Sequence, residues 1–329
     1  MNDNYFYPLT FKPVLKDYIW GGRNLETLFG RALPPGDTAE SWEIAAHPDG
    51  TTVVANGRFA NTLLTDLHAQ LGTDLIGTRN QWAQERQKFP LLIKLLDAHD
   101  NLSVQVHPDD TYALAHEGNE LGKTEMWVVL HAAADAAVIL GVKPGTTQDA
   151  FRAAITAGNL EPYMHYLPIQ AGDVVCVPSG SLHALLSGAV LAEIQQNSNT
   201  TYRVYDWNRT TNGRKRPLHI DKALDVINFA QVEPGLCQPQ LVADEAGMRR
   251  YRLCANQYFT TERVEMAAGT QYQGICDGRT LEIWGCIAGA VDVNGVDLTA
   301  VQFTLLPAAL GPFTVTAPQG ATLLRTYVA

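Results

Sequence analysis

The feature that most constrains this chain is a succession of apolar segments, six to nine residues long, each cut off by Gly, Pro, Asn or Asp. They are PLLIKLLDA (90–98), LSVQVH (102–107), EMWVVLH (125–131), AAVILGV (136–142), DVVCVP (173–178), VLAEIQQ (190–196) and TYRVYDW (201–207). Short runs rich in β-branched residues and bounded by turn formers read as strands. Helical spacing, with Leu or Ala recurring at every third or fourth position, is confined to 61–72, 81–87, the stretch after Pro108, and 146–158. The pattern predicts a mainly β fold, a barrel or sandwich with helical insertions at roughly 61–88 and 108–165.

After about Ala230 the texture changes. The stretch QVEPGLCQPQLVADEAG is polar and interrupted by Pro and Gly, so residues 231–245 read as a linker between a larger domain (1–230) and a smaller β-domain (246–329). Only strand-like runs follow, among them FTTERVEM, LEIWGCIAG and ATLLRTYV, and Asn294-Gly295 in AVDVNGVDL signals a two-residue hairpin. At 329 residues and 46% hydrophobic, the chain has enough apolar material for two such cores.

A formal net charge of -10 speaks against nucleic acid or an anionic membrane as partner, because both need a basic face. A phosphorylated ligand would have to meet a local cluster of Lys and Arg. The start, MNDNYFYPLTFKP, lacks a basic segment followed by an apolar one, and no apolar stretch approaches the roughly 18 residues of a membrane span, so a cytoplasmic protein is expected. The five cysteines, at 176, 237, 254, 276 and 286, form no C-x-x-C pair; reduced, buried thiols are the expectation.

Chemistry-bearing residues cluster in three places. In LSVQVHPDD, strand alternation puts Gln105 and His107 on one face and Val104 and Val106 on the other, so one face can pack while the other coordinates. A polar pair on a solvated strand is the bland reading. Glu125 opens the EMWVVLH run, where a solvated carboxylate is the ordinary case. In AGDVVCVPSGSLHAL, a turn at Gly172, a buried strand and a second turn through Pro178 and Gly180 would deliver His183 to an interior, either as a metal ligand or as a hydrogen-bonded core histidine. Two imidazoles, a carboxylate and an amide oxygen together make a plausible zinc shell that leaves room for substrate.

The order of motifs YIWGG (18–22), AESWEIAAHPDG (39–50), FPLLIKLLDAHDNLSVQVHPDD (89–110), GKTEMW (122–127), GDVVCVPSGSLHAL (172–185), AEIQQNSNTTYRVYDW (192–207) and RPLHIDKAL (216–224) resembles the type I mannose-6-phosphate isomerases, in their shorter bacterial form. The resemblance covers nearly all of the first 230 residues. It implies a cupin-type jelly-roll barrel, plus a second β-domain that carries no comparably specific motif. By the same resemblance Gln105, His107, Glu125 and His183 match the family's zinc ligands, one ion per chain, with Gln105 replacing the histidine of generic cupins.

The resemblance also implies Arg203, Glu193 and Lys123 as catalytic residues and Ser103, Lys94, Trp20 and Glu40 as substrate-binding ones. Each has a bland alternative: Arg203 could pair with Asp206 or Asp225, Lys94 could extend from a strand, and Trp20 could be core. Asn199 departs from the family's Asp before Thr-Thr, which puts a proton-relay role there in doubt. The implied reaction interconverts mannose 6-phosphate and fructose 6-phosphate through a cis-enediol, with a sugar phosphate as the small-molecule partner and the oligomeric state left open. Two other readings compete on this scaffold: a non-catalytic cupin that binds sugar phosphates, and a cupin metal-dependent oxygenase.

Overall fold

In a computed structural model the described residues are 5–210 and 213–328, and their fold is mainly β. The chain divides into two compact units, each assembled from separated stretches: Leu15–Ser41 with Lys94–Cys237, and Met1–Val14 with Trp42–Ile93 and Gln238–Ala329.

The first unit is built on two sheets. One runs Met164–Pro168, Ala137–Val142, His183–Leu185, Val104–Val106, Tyr202–Tyr205; the other runs Val174–Val177, Glu125–Ala132, Ala189–Gln196 and on to Leu91–Ala98. Their facing side chains share one core, in which Leu96 and Trp127 meet Val138, Leu140 and Leu185. Both faces of Ala137–Val142 are buried: alternation sends Val138 and Leu140 into that core and Ile139 to the opposite side with Phe151 and Leu224, and a register shift between Ile139 and Val142 brings Val142 to that side too. Those last two come from the helices Gln148–Ala157 and Ile220–Val226, which cover the outer face.

The longer helix begins where the Thr147 hydroxyl accepts from the Ala150 amide at 3.2 Å, and it ends at Gly158, whose φ of +66° suits a residue without Cβ. The helix Asp110–His116 likewise starts on a cap, Asp109 accepting from Tyr112 N at 2.8 Å. Pro108 thus separates His107 from a helix that begins at once.

The second unit carries a nine-stranded antiparallel sheet around a core of Trp284, Phe313, Leu306 and Leu323. The expected hairpin is there: Val293 pairs with Val296, and Asn294 and Gly295 take φ of +49° and +88°, as a type I′ turn requires. The helix Thr73–Ile76 belongs to this unit, its Asp74 and Leu75 carbonyls accepting from Ala309 and Ala308 at 2.9 and 3.0 Å. No described helix is long and apolar enough to cross a membrane.

The expectation for the cysteines needs correction. Cys176 and Cys237 form a disulfide, with Cα atoms 6.3 Å apart, inside the usual range for such bridges. The cause is local: Cys237 N donates to Val174 O at 2.9 Å, which lays the chain after 230 alongside the strand Val174–Val177. Cys254, Cys276 and Cys286 are free thiols.

Candidate active site

Gln105 lies between His183 and Arg203 on one rung of the first unit's sheet, paired with both across neighbouring strands. Val104 and Val106 are fully buried on the outer face, so the alternation read from LSVQVH holds and Gln105 is turned inward. His183 arrives by the turn after Pro178, where Gly180 has φ +84° and a Cβ would stand 2.9 Å from the Val226 carbonyl. Any side chain there would push the turn out of place. The turn is pinned from the other side by Gly180 N donating to His107 O at 2.8 Å, which ties the approaches of the two histidines together.

Both histidines are buried, and each Nδ1 faces a backbone carbonyl: His107 to Thr200 O at 2.8 Å and His183 to Ser181 O at 2.9 Å. A carbonyl only accepts, so each Nδ1 carries the hydrogen and each Nε2 keeps its lone pair. Burial pushes both imidazoles down, His107 well below its ordinary value with help from Lys123 and His183, and His183 to about 4. They are neutral at physiological pH, the state in which imidazole binds a metal.

The Nε2 atoms converge on Glu125, which opens the strand Glu125–Ala132: His183 Nε2 is 3.3 Å from Oε1 and His107 Nε2 is 3.6 Å from Oε2. The ligand atoms of His107, Glu125 and His183 all lie within 4.8 Å of one another. Both Glu125 oxygens are buried, and burial followed by the charge of Glu193 pushes the carboxyl up. Lys123 Nζ stands 3.0 Å from Glu125 Oε2 and 3.1 Å from His107 Nε2, which shows that these acceptors already take a cation. A buried carboxylate and two imidazole nitrogens that carry lone pairs suit a divalent ion, whose positive charge the Lys123 ammonium stands in for here. Gln105 directs Nε2 toward His183 Nε2 at 3.4 Å; half a turn of the amide would present its oxygen there instead.

A cavity of about 310 Å³ opens over this cluster, in the size range of small-molecule sites. Trp20, Glu40, Lys94, Ser103, Gln105, Lys123, His183, Glu193 and Arg203 all line it, so the predicted residues from distant motifs meet in one place. His107 and Glu125 join them through Lys123 and His183. Lys94 is buried between Glu40 Oε2 at 3.4 Å and Glu193 Oε1 at 3.2 Å; burial alone would lower its pKa, but the carboxylates outweigh it and raise it. Burial would raise Glu193 likewise, yet Lys94, Lys123 and the Trp127 indole donating at 2.8 Å hold it below its ordinary value, so it stays ionised.

Arg203 is not the surface ion pair that spacing alone allows. Its Nε donates to Ser103 Oγ at 3.1 Å and its Nη1 to Pro217 O at 3.1 Å, while Ser103 Oγ donates to Gln105 Oε1 at 3.3 Å. The guanidinium is thereby linked by one hydroxyl to the Gln105 amide. Trp127, Tyr18, Thr201 and Arg216 also line the cavity and were not singled out from sequence. Trp127 shares a strand face with Glu125 two residues before it, a period that offered a signal. A larger, open groove of about 620 Å³ in the second unit, around Gly247, Arg249, Gly289 and Gly320, gathers no comparable chemistry, so volume does not choose the site.

A mainly β fold with two histidines and a glutamate buried beside a polar cavity is that of a cupin-class enzyme with a possible metal site. Residues 9–122 match the family model for the catalytic domain of phosphomannose isomerase type I. The chain is similar to the probable mannose-6-phosphate isomerase GmuF of Bacillus subtilis, with 38% identity over 94% of this chain and 96% of that protein. It is 39% identical to the mannose-6-phosphate isomerase of Streptococcus mutans over 81% of each chain. A crystal structure of a mannose 6-phosphate isomerase from Bacillus subtilis superposes with a TM-score of 0.84 at 33% identity, covering 97% of this chain and 99% of that one. The chain belongs to the type I phosphomannose isomerases, a family of aldose–ketose isomerases.

Proposed function

We propose that this chain interconverts mannose 6-phosphate and fructose 6-phosphate, with one zinc ion held by Gln105, His107, Glu125 and His183. The observation that carries the reading is the buried His107–Glu125–His183 cluster at a cavity that also receives the Lys94–Glu193 pair and Arg203. A nitrogen and oxygen donor set of this kind suits zinc, which when bound supplies Lewis-acid polarisation of the sugar carbonyl.

The remaining work falls to the chain's own groups. Glu193, kept ionised by Lys94, takes the proton from C2 of the aldose and returns it to C1, so no proton is gained or lost overall. Lys123 Nζ gives a proton to O1 as the cis-enediol forms, and the O2 hydroxyl proton restores it as the ketose forms. Arg203 stabilises the negative charge that develops on these oxygens, in a buried setting where such an interaction is strong. Trp20 offers an apolar face to the sugar, while Ser103 and Glu40 bond its hydroxyls.

A coupled assay of fructose 6-phosphate formation, run before and after chelation and after zinc is restored, tests this reading. Activity should vanish with chelator and return with zinc; full rate in metal-free protein would contradict it. Oxygen uptake would point to an oxygenase instead, and intact zinc without turnover to a binding protein. The reading places the enzyme in the cytoplasm, against which the Cys176–Cys237 bridge counts, since disulfides persist in oxidising compartments. Thiol titration of protein taken directly from cytosol decides that point: free thiols at both positions agree with the cytoplasmic assignment, and a retained bridge opposes it.

A further inference from the structure

We infer that Arg216, held in place by Asp206, receives the phosphate group of the substrate and sets the preference for a phosphorylated over a free sugar. The inference rests on the isomerase reading above and assigns a residue which that reading leaves without a role.

The cavity has few cations to spare. Lys94 and Lys123 both line it, but they face three buried carboxylates: Glu40 and Glu193 flank Lys94, and Glu125 faces Lys123. Lys94, set between two carboxylates, has little charge to spare for a phosphate dianion, and Lys123 stands against Glu125 and His107 at the reacting end. At the other end the balance reverses. Arg203, Arg209 and Arg216 gather around the single buried carboxylate of Asp206, which binds Arg216 through Nε at 2.7 Å and through Nη2, and Arg209 through Nη2 at 2.8 Å. Among the described residues Arg209 has a further carboxylate partner in the exposed Asp100, at 3.3 Å.

This cluster is therefore net positive in a chain whose formal charge is -10. Its influence reaches Arg203, whose pKa is lowered first by burial and then by Arg216. Of the three arginines, Arg203 and Arg216 line the cavity.

Geometry separates the tasks of those two. Arg203 points its Nε and Nη1 to Ser103 and to the carbonyl of Pro217, and through Ser103 it touches Gln105, so it belongs to the reacting end. Arg216, the neighbour of Pro217, is half-buried, and Asp206 occupies its Nε and Nη2, not Nη1. A guanidinium of a cavity-lining residue, fixed by a carboxylate through Nε and Nη2, is preorganised for an oxyanion. The phosphate of the sugar sits on C6, the far end of the chain from the carbons that exchange the proton. Gln105 separates Arg203 from His183 across the sheet, and Arg216 adjoins Pro217, to whose carbonyl Arg203 donates, so that end of the sugar is assigned to Arg216.

The test uses the full-length, zinc-loaded protein and the variants Arg216→Met and Arg216→Lys, with zinc content and circular dichroism as checks on folding. Inorganic phosphate serves as a binding probe by calorimetry, and mannose 6-phosphate and free mannose as paired substrates. In Arg216→Met the selectivity for mannose 6-phosphate over mannose should fall on the order of 100-fold, chiefly through KM, and phosphate affinity should fall with it. Arg216→Lys should recover part of both.

Selectivity and phosphate affinity within twofold of the parent protein would overturn the inference, and so would an equal loss on both sugars. Failure of the parent protein to turn over any sugar phosphate would sink the isomerase reading alone. Phosphate calorimetry would still judge Arg216.

Discussion

His107 and His183 each give Nδ1–H to a backbone carbonyl, and that bond decides what the opposite nitrogen can do. With a lone pair on each Nε2 and both rings held neutral by burial, the pair is ready for a metal before any metal arrives. His107→Ala and His183→Ala should each lose bound zinc and turnover together, checked by elemental analysis beside the coupled assay. Glu193→Gln should keep its zinc yet lose about 10²- to 10⁴-fold in kcat, the usual worth of a positioned base; near-normal turnover would remove Glu193 from that role. Much at this scale was legible in advance, because Gln105 and His107 flank a valine on an alternating strand and His183 follows a Gly-Pro-Gly turn series. Arg216 was not, since an arginine in a polar stretch has no period to betray which way it faces, and what fixes it is Asp206, ten residues earlier.

At the scale of elements, the strand Ala137–Val142 shows why the β reading succeeded: a continuous apolar run is what a strand buried on both faces requires. Truncating Leu140, fully enclosed between the two sheets, to Ala should cost about 2–5 kcal/mol in urea unfolding. The helix Ile220–Val226 escaped notice because seven residues offer too little periodicity against the neighbouring Pro and His. The bridge between Cys176 and Cys237 escaped for another reason, since the pairing depends on a backbone bond between segments 61 residues apart.

The segment bearing Arg209 and Arg216 has its own pH signature. Burial would raise the Asp206 pKa, but hydrogen bonds from Arg216 and Arg209 outweigh it and hold the carboxyl below its ordinary value. A depressed folded pKa contributes stability that is present above the unfolded value, near 3.9, and is lost as pH falls through the folded one. The stability difference between the parent protein and Asp206→Asn should therefore shrink on acidification below about pH 4. A difference that stays constant from neutral pH to pH 2 would oppose this assignment.

Taken as a whole molecule, the chain opposes a strongly negative formal charge with a few cations concentrated where a sugar phosphate would enter. Composition alone could demand such a cluster for a phosphorylated ligand; locating it required the fold. The helix Thr73–Ile76 illustrates the same limit, because its carbonyls are satisfied by residues more than 230 positions away, at Ala308 and Ala309, which no local pattern announces.

Because the unfolded chain has no assembled site, zinc should raise the melting temperature of the parent protein and leave that of His183→Ala nearly unchanged. The most direct measurement is anomalous diffraction at the zinc edge from crystals of the zinc-loaded protein. A single strong peak within about 2.0–2.2 Å of His107 Nε2, His183 Nε2, a Glu125 oxygen and the Gln105 oxygen is the expected result. A peak at any other place, or one that excludes two of these four side chains, would contradict the account.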